Sequence, residues 1–232
     1  MTTVNILSGG AAQGLVRGLI EAFEAQTGLG IDGEFGAVGV MADKLRGGTP
    51  ADLVILTQAL LAKLAEEKLV IPSSITDIGR VETALAVRSR DPRMTVKTEA
   101  DLRDVLRGAD AIFVPDIKAS TAGQHVAKVL DQIGIAYEVA SRLKIFPNGA
   151  TAMRELAAST AQRPIGCTQA TEIIATDGIA LSGSLPPGCE LVTMYTACVT
   201  AGAAHSKEAA ALVALLAGAD QKALRQRVGF AG

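Results

Sequence analysis

The chain has no tryptophan, two tyrosines, five phenylalanines and no excess of positive charge; aromatics make up 3% of it and the formal net charge is −2. Nucleic-acid binding therefore lacks both its electrostatic footprint and its stacking platforms. No apolar run reaches the ~18 to 20 residues of a membrane span, so no membrane segment is expected. Cys167, Cys189 and Cys198 show no C-x-x-C spacing and read as small buried hydrophobes. A Cys189–Cys198 pair would need an oxidising compartment. Ser-His-Asp, P-loop and G-x-G-x-x-G patterns are missing, so hydrolase, kinase and dehydrogenase chemistry has no support, and neither metal nor cofactor is expected. The N-terminus M-T-T-V-N-I-L has no basic n-region, apolar h-region or small-residue cleavage site. The expected location is cytoplasmic as the chain is written, and periplasmic if a signal peptide has been trimmed.

What is present suits a folded α/β protein. The 232 residues, 49% hydrophobic and 20% charged, allow one large domain or two lobes with real cores. Val4 to Gly14 reads as an apolar strand, a small-residue loop and a helix start, continued by Leu15, Leu19, Ala22 and Phe23 at helical spacing. Such a start is an anion site in the making, because its first N–H groups are unpaired and carry partial positive charge. The unit recurs. Strand Ile31 to Phe35 leads through F-G-A-V-G (Phe35–Gly39) to a helix at Met41 to Leu45, and L-V-I-L (Leu53–Leu56) ends in Thr57 and Gln58 before a helix at Ala59 to Lys68.

Asp77 to Val87 is one long extended segment, where a crossing into a second lobe is expected. Beyond it, A-I-F-V (Ala111–Val114) leads through P-D-I-K-A-S-T-A-G to a helix at Gln124 to Ile133, with Thr121 as the expected N-cap. Asn148 and Thr151 precede a helix reaching Thr160, and P-I-G-C-T-Q (Pro164–Gln169) presents Thr168 and Gln169 at a strand end. Leu191 to Thr200 is the return crossover, and Ser206 to Ala217 and Lys222 to Val228 close the chain as helices. The expected division is 1–81 with 197–232 as one lobe and 82–196 as the other. Ligands of open parallel sheets sit beyond the carboxyl ends of strands, which gathers these small or polar tips into candidate rims.

The order of F-G-A-V-G, T-P-A-D-L-V-I-L (Thr49–Leu56), the loop before Gln124, I-G-C-T-Q (Ile165–Gln169) and the terminal G-F (Gly229–Phe230) resembles the molybdate-binding proteins of ABC transporters, over nearly the whole chain. These share the type II periplasmic solute-binding fold. The resemblance implies an α/β protein of two lobes, each a mixed, mostly parallel sheet flanked by helices. Two extended crossovers join the lobes, and a small anionic ligand is clamped between facing helix N-termini. An ABC permease is the implied partner if the protein is exported. By position, the family's two loop serines fall on Ala11 and Val38, its backbone donors on Ala122 and Thr151, and its tyrosine on Gln169. Losing two hydrogen bonds of ~1.5 to 3 kcal/mol each would weaken an oxyanion some hundred- to ten-thousand-fold, which disfavours molybdate itself.

The stretches L-S-G-G-A-A (Leu7–Ala12), D-I-G-R-V-E-T-A-L-A-V-R (Asp77–Arg88), A-I-F-V-P-D (Ala111–Asp116) and S-G-S-L-P-P (Ser182–Pro187) are similar to the branch of this fold that includes bacterial aconitate isomerase. That likeness implies a carboxylate ligand, which Ser8, Thr57, Thr121, Asn148, Thr151, Thr168 and Gln169 would suit, with Lys118 adding a charge-assisted bond. The expected ligand-binding set is Ser8, Gly9, Gly10, Ala11, Ala12, Ala37, Val38, Thr57, Thr121, Ala122, Asn148, Thr151 and Gln169. Two readings stay open: a receptor for a small anion, and a cofactor-independent isomerase moving the double bond of a tricarboxylate. The second needs a proton shuttle, for which His125 is the candidate, with Asp116 and Tyr195 behind it.

Overall fold

Among residues 2–231, which the computed structural model describes, the apolar runs become nine strands and eleven α-helices. The chain opens with β1 (Thr3–Gly9), a 3-10 turn (Gly10–Ala12), α1 (Gln13–Arg17), α2 (Ile20–Thr27), β2 (Gly30–Gly36), α3 (Val38–Arg46), β3 (Leu53–Thr57), α4 (Gln58–Glu66) and the long β4 (Thr76–Arg88). It continues through α5 (Glu99–Gly108), β5 (Ala111–Pro115), α6 (Thr121–Gln132), α7 (Ala136–Val139), β6 (Leu143–Phe146), α8 (Gly149–Ala158), β7 (Pro164–Gln169), α9 (Ala170–Ile174) and β8 (Ile179–Ser184). It closes with β9 (Val192–Val199), α10 (Ser206–Ala217) and α11 (Lys222–Arg227). Two compact units result, one of Met1–Val81 with Thr193–Gly232 and one of Glu82–Val192. The chain passes between them inside β4 and β9.

In the first unit β1 lies between β2 and β3, parallel to both, and β9 runs antiparallel to β3. All five residues of β3 are buried, the mark of a strand covered on both faces. Its core joins Ile6, Leu53, Ile55 and Leu56 of the sheet to Leu15, Phe23, Leu61 and Leu64 of the helices and to Leu19 between α1 and α2. Each such side chain is worth about 1.5 to 3 kcal/mol when fully buried. The expected single helix after β1 is instead two, α1 and α2, broken at Gly18 and Leu19. Glycine is a poor helix former, and a Cβ on Gly18 would lie 2.9 Å from Leu224 Cδ1, so α11 packs against bare backbone there.

In the second unit β5 lies between β6 and β7, parallel to both, while β4 is antiparallel to β7 and to β8. Alternation along β4 divides the apolar packing into two clusters, with Leu85, Leu102, Ile112 and Val129 in one and Ala84, Ala86, Phe113, Met153 and Leu156 in the other. Strand β8 has no sequence signature: Ile179 to Gly183 are half-buried without alternation, Ser184 is exposed, and pairing with β4 makes it a strand. The three cysteines are free and buried.

The buried Asp52, at the turn into β3, explains the T-P-A-D stretch. Its carboxylate accepts the N–H of Asn5 at 2.8 Å and of His205 at 2.9 Å, while its own N–H and carbonyl pair with Asn5 and Thr200. One side chain thereby ties β1, β3 and the start of α10. Replacing it leaves buried N–H groups without partners, so Asp52→Ala is expected to cost about 3 to 5 kcal/mol in urea unfolding, and Asp52→Asn about half as much. A loss under about 1 kcal/mol for Asp52→Ala would contradict this role.

Candidate functional site

Parallel strands end at the same edge of their sheet, so each unit gathers the helix starts that follow its parallel strands. In the first unit these are the 3-10 turn after β1, α3 after β2 and α4 after β3. The register Gly9↔Gly36 sets the first two side by side. A Cβ on Gly9 would lie 2.7 Å from Val38 Cγ1, so the two loops touch and Gly9 is needed for them to do so. Ala11, Ala12, Ala37 and Val38 are buried, and Gly10 is half-buried.

Neither the 3-10 turn, α1 nor α3 has a side-chain cap, and none carries an acidic residue in its first turn. Their leading N–H groups thus keep their partial positive charge uncompensated from within. Thr57 does cap α4, accepting the Leu60 N–H at 3.4 Å. Ser8 is fully buried, and its hydroxyl donates to the Gly9 carbonyl at 2.9 Å. In this arrangement its hydrogen is not available to an anion, so Ser8 does not replace the hydroxyl absent at Ala11.

In the second unit the starts are α6 after β5, α8 after β6 and α9 after β7. The cap of α6 is Ser120, whose Oγ accepts the Gly123 N–H at 3.4 Å, and not Thr121, which with Ala122 forms the first helical turn. Asp116 accepts the N–H groups of Lys118 and Ala119 at 2.7 and 2.8 Å, which hold its carboxyl below the usual range, with the Ala119 bond the stronger influence. The start of α8 is closed internally. Asn148 Oδ1 accepts the Thr151 N–H at 2.8 Å, and the Glu172 carboxylate accepts the N–H groups of Gly149 and Ala150. The backbone donor expected at Thr151 is therefore already bonded.

Glu172 is the residue that sequence reasoning missed. It is buried, at the third position of α9, and also receives the N–H of Gln169 and the Thr168 hydroxyl, the latter at 2.6 Å. A glutamate at this position reaching back to the residue before the helix is half of a capping box, a signal readable in Q-A-T-E (Gln169–Glu172). Burial raises its pKa, and the four donors oppose the shift.

Gln169 stands at the end of β7 and leads into α9 without capping it. It is 3% exposed, yet neither Nε2 nor Oε1 has a partner. Thr83, its cross-strand neighbour on β4, and Thr171, two residues on, are also buried with hydroxyls that meet nothing. Native proteins pair nearly all such atoms, so an unmatched group of this kind is where a ligand or water belongs. His125 lies one turn into α6, and its Nε2 is 2.8 Å from the Cys189 carbonyl, which leaves only Nδ1 for other work. Tyr195 is buried in the first unit, edge-on to Phe230 at 6.3 Å. Burial pushes the Cys167 thiol up to about 12 and raises those of Cys189 and Cys198, which keeps all three protonated at neutral pH. Among the described residues no cluster of three or more metal-binding side chains occurs.

The Glu172 arrangement gives a stability test. A Cβ on Gly149 would lie 1.9 Å from Glu172 Oε2 and 2.2 Å from Thr168 Oγ1, whereas one on Gly108 meets nothing within 4 Å. Gly149→Ala is expected to lose about 1 to 3 kcal/mol in urea unfolding, and Gly108→Ala to gain about 0.4 to 1 kcal/mol. Equal effects at the two positions would refute the packing described for Glu172.

Among known proteins, an aconitate isomerase from a Pseudomonas species is 26% identical over 231 residues, covering 95% of this chain and 84% of the relative. A periplasmic molybdate-binding protein from Azotobacter vinelandii matches with a TM-score of 0.83 and 17% identity over 99% of both chains. The sulfate-binding protein SubI from Mycobacterium tuberculosis H37Rv matches with a TM-score of 0.77 and 21% identity, over 99% of this chain and 86% of that one. At these identities the two structures establish a shared two-lobe α/β fold. No helix among the described residues is long and apolar enough to cross a membrane. The sequence model of the bacterial extracellular solute-binding proteins matches residues 4–231, and the chain belongs to that family.

Proposed function

We propose that this chain is a receptor that binds a small carboxylate or oxyanion through the helix starts after β1 and β2, and that it delivers the ligand to an ABC permease. The observation that carries the reading is the pair of adjacent starts at Gly10–Ala12 and Val38, uncapped and without an acidic residue of their own. Where α8 is set against Glu172, these two have no such partner of their own, which suits an anion from outside. Solved structures of the same fold are a molybdate-binding and a sulfate-binding protein, which supports an anion as the ligand. Molybdate is disfavoured here, because Ala11 and Val38 supply no hydroxyl and Ser8 donates elsewhere.

The test is thermal unfolding of the whole chain with sulfate, molybdate, tungstate and a set of mono-, di- and tricarboxylates. A saturating ligand is expected to add about 2 to 4 kcal/mol of stability. Gly10→Asp, which would place a carboxylate at the first start as Glu172 does at α8, is expected to weaken that ligand about tenfold or more while leaving the ligand-free melting temperature near that of the parent. Failure of every anion to raise the melting temperature would overturn the reading.

A second reading, aconitate isomerisation, is favoured by the 26% identical relative. It would draw on His125 as the shuttle, with Nδ1 the only free ring nitrogen. Following cis- and trans-aconitate by NMR decides it. Interconversion is the expected outcome of the isomerase reading, its absence ends that reading, and a wild-type rate in His125→Ala removes His125 from it.

A further inference from the structure

We propose that the second unit carries a ligand site of its own, a cavity beside Asp104 of α5 that takes a small amine with an apolar body. The proposal is independent of the anion-receptor reading, because every residue it uses lies in the second unit and none belongs to the helix starts. The cavity holds about 290 Å³ and is bounded by the end of β4, the segment after it, the last turns of α5 and the entry to β7. Ala109 leads into β5 and Pro164 opens the parallel β7, so the cavity lies by the first residues of these strands, whereas α6 and α9 start beyond their last.

Hydrogen bonds fix the walls without closing the space between them. The buried Arg88 donates to Asp91 at 2.5 Å and to the Ser159 carbonyl at 2.7 Å, tying the turn after β4 to the segment before β7. Met94 donates its N–H to Ser182 Oγ at 2.7 Å. The Asp110 N–H donates to the Arg163 carbonyl at 3.1 Å, and Asp110 Oδ2 accepts the Arg163 N–H at 3.0 Å. Interiors of proteins are close-packed, and a space held open in this way is near the lower bound of roughly 300 Å³ for small-ligand pockets.

The lining sets the chemistry of the ligand. Val87, Met94, Val105, Ala109, Pro164 and Ile165 present apolar surface, which suits an apolar body. Three charged residues share the lining, and two of them are matched: Asp91 holds Arg88, and Arg163 Nη2 meets Asp110 Oδ1 at 3.2 Å. Asp104 is the third, and among the described residues it has no hydrogen bond or ion pair. Its carboxylate is therefore the unmatched charge of the lining, complementary to a cation and repelling a carboxylate. Gly108 stands one turn along α5 from Asp104, and a Cβ there meets nothing within 4 Å, so the space is open on the same face of the helix.

Two-dimensional NMR of the whole chain tests this with three probes of one shape: benzylamine, benzyl alcohol and benzoate. Benzylamine is expected to shift the amide signals of Val105, Gly108, Ala109 and Ile165 saturably, and to bind about threefold tighter or more than the alcohol, as an exposed ion pair allows. Benzoate is expected to leave those four signals in place. Asp104→Asn, at an exposed position, is expected to lower the affinity for the amine to that for the alcohol, and Gly108→Leu to abolish binding of both by filling the cavity. Should Gly108→Leu fail to fold, Asp104→Lys, which supplies the cation from the chain itself, is expected to lose the amine in its place. The proposal is overturned if benzylamine leaves the four signals unmoved, if the alcohol or benzoate binds there as tightly, or if these substitutions leave amine binding unchanged.

Discussion

A helix start leaves its first N–H groups without partners inside the helix, and the way each start is answered organises this molecule. Around the second unit's sheet, after β5 and β6, the answer is internal. Ser120 caps α6, Asn148 caps α8, and the Glu172 carboxylate binds α8 and the strand end at Gln169 together. Around the first unit's sheet, after β1 and β2, there is no answer from within. The asymmetry is chemical as well as geometric. One unit has set a buried glutamate against a helix start, and the other leaves two starts without a side-chain partner of their own.

Much of the detailed sequence around Gln169 follows from the Glu172 carboxylate. Gly149 must lack a side chain because a carboxylate oxygen and a threonine hydroxyl lie where its Cβ would be. Thr168 must be a donor to complete the acid, and the backbone of Gln169 is held by the same group. The side chain of Gln169 is then presented without any internal partner. A buried amide left in that state is costly unless something else bonds it. On the first unit, Asp52 plays a comparable tying role in the fold, but its oxygens serve strand and helix backbone and leave nothing for a ligand.

The chain belongs to a solute-binding family. The side chains named as proton-shuttle candidates have other work. His125 bonds a carbonyl, Asp116 holds a turn, and Tyr195 packs on Phe230. A relative 26% identical over 231 residues is named an aconitate isomerase.

Local physics made much of the fold legible in the sequence. Continuous apolar runs such as L-V-I-L become buried strands wherever they are covered on both faces. Small residues after them become helix starts, and Pro164–Gln169 and Ser206–Ala217 form the strand and helix that their patterns announce. The strand ends carrying Ser8 to Ala12, Ala37, Val38 and Gln169 were visible for the same reason. Tertiary structure decided what depends on partners distant in the chain. It broke the first helix where Leu224 meets Gly18, made a strand of Ile179–Ser184 by pairing it with β4, and moved the cap from Thr121 to Ser120. It also turned the Ser8 hydroxyl onto a neighbouring carbonyl, occupied α8 with Glu172, and left Gln169 unmatched. A sequence shows which groups can donate and accept, but which of them are already bonded depends on distances that only the folded chain sets.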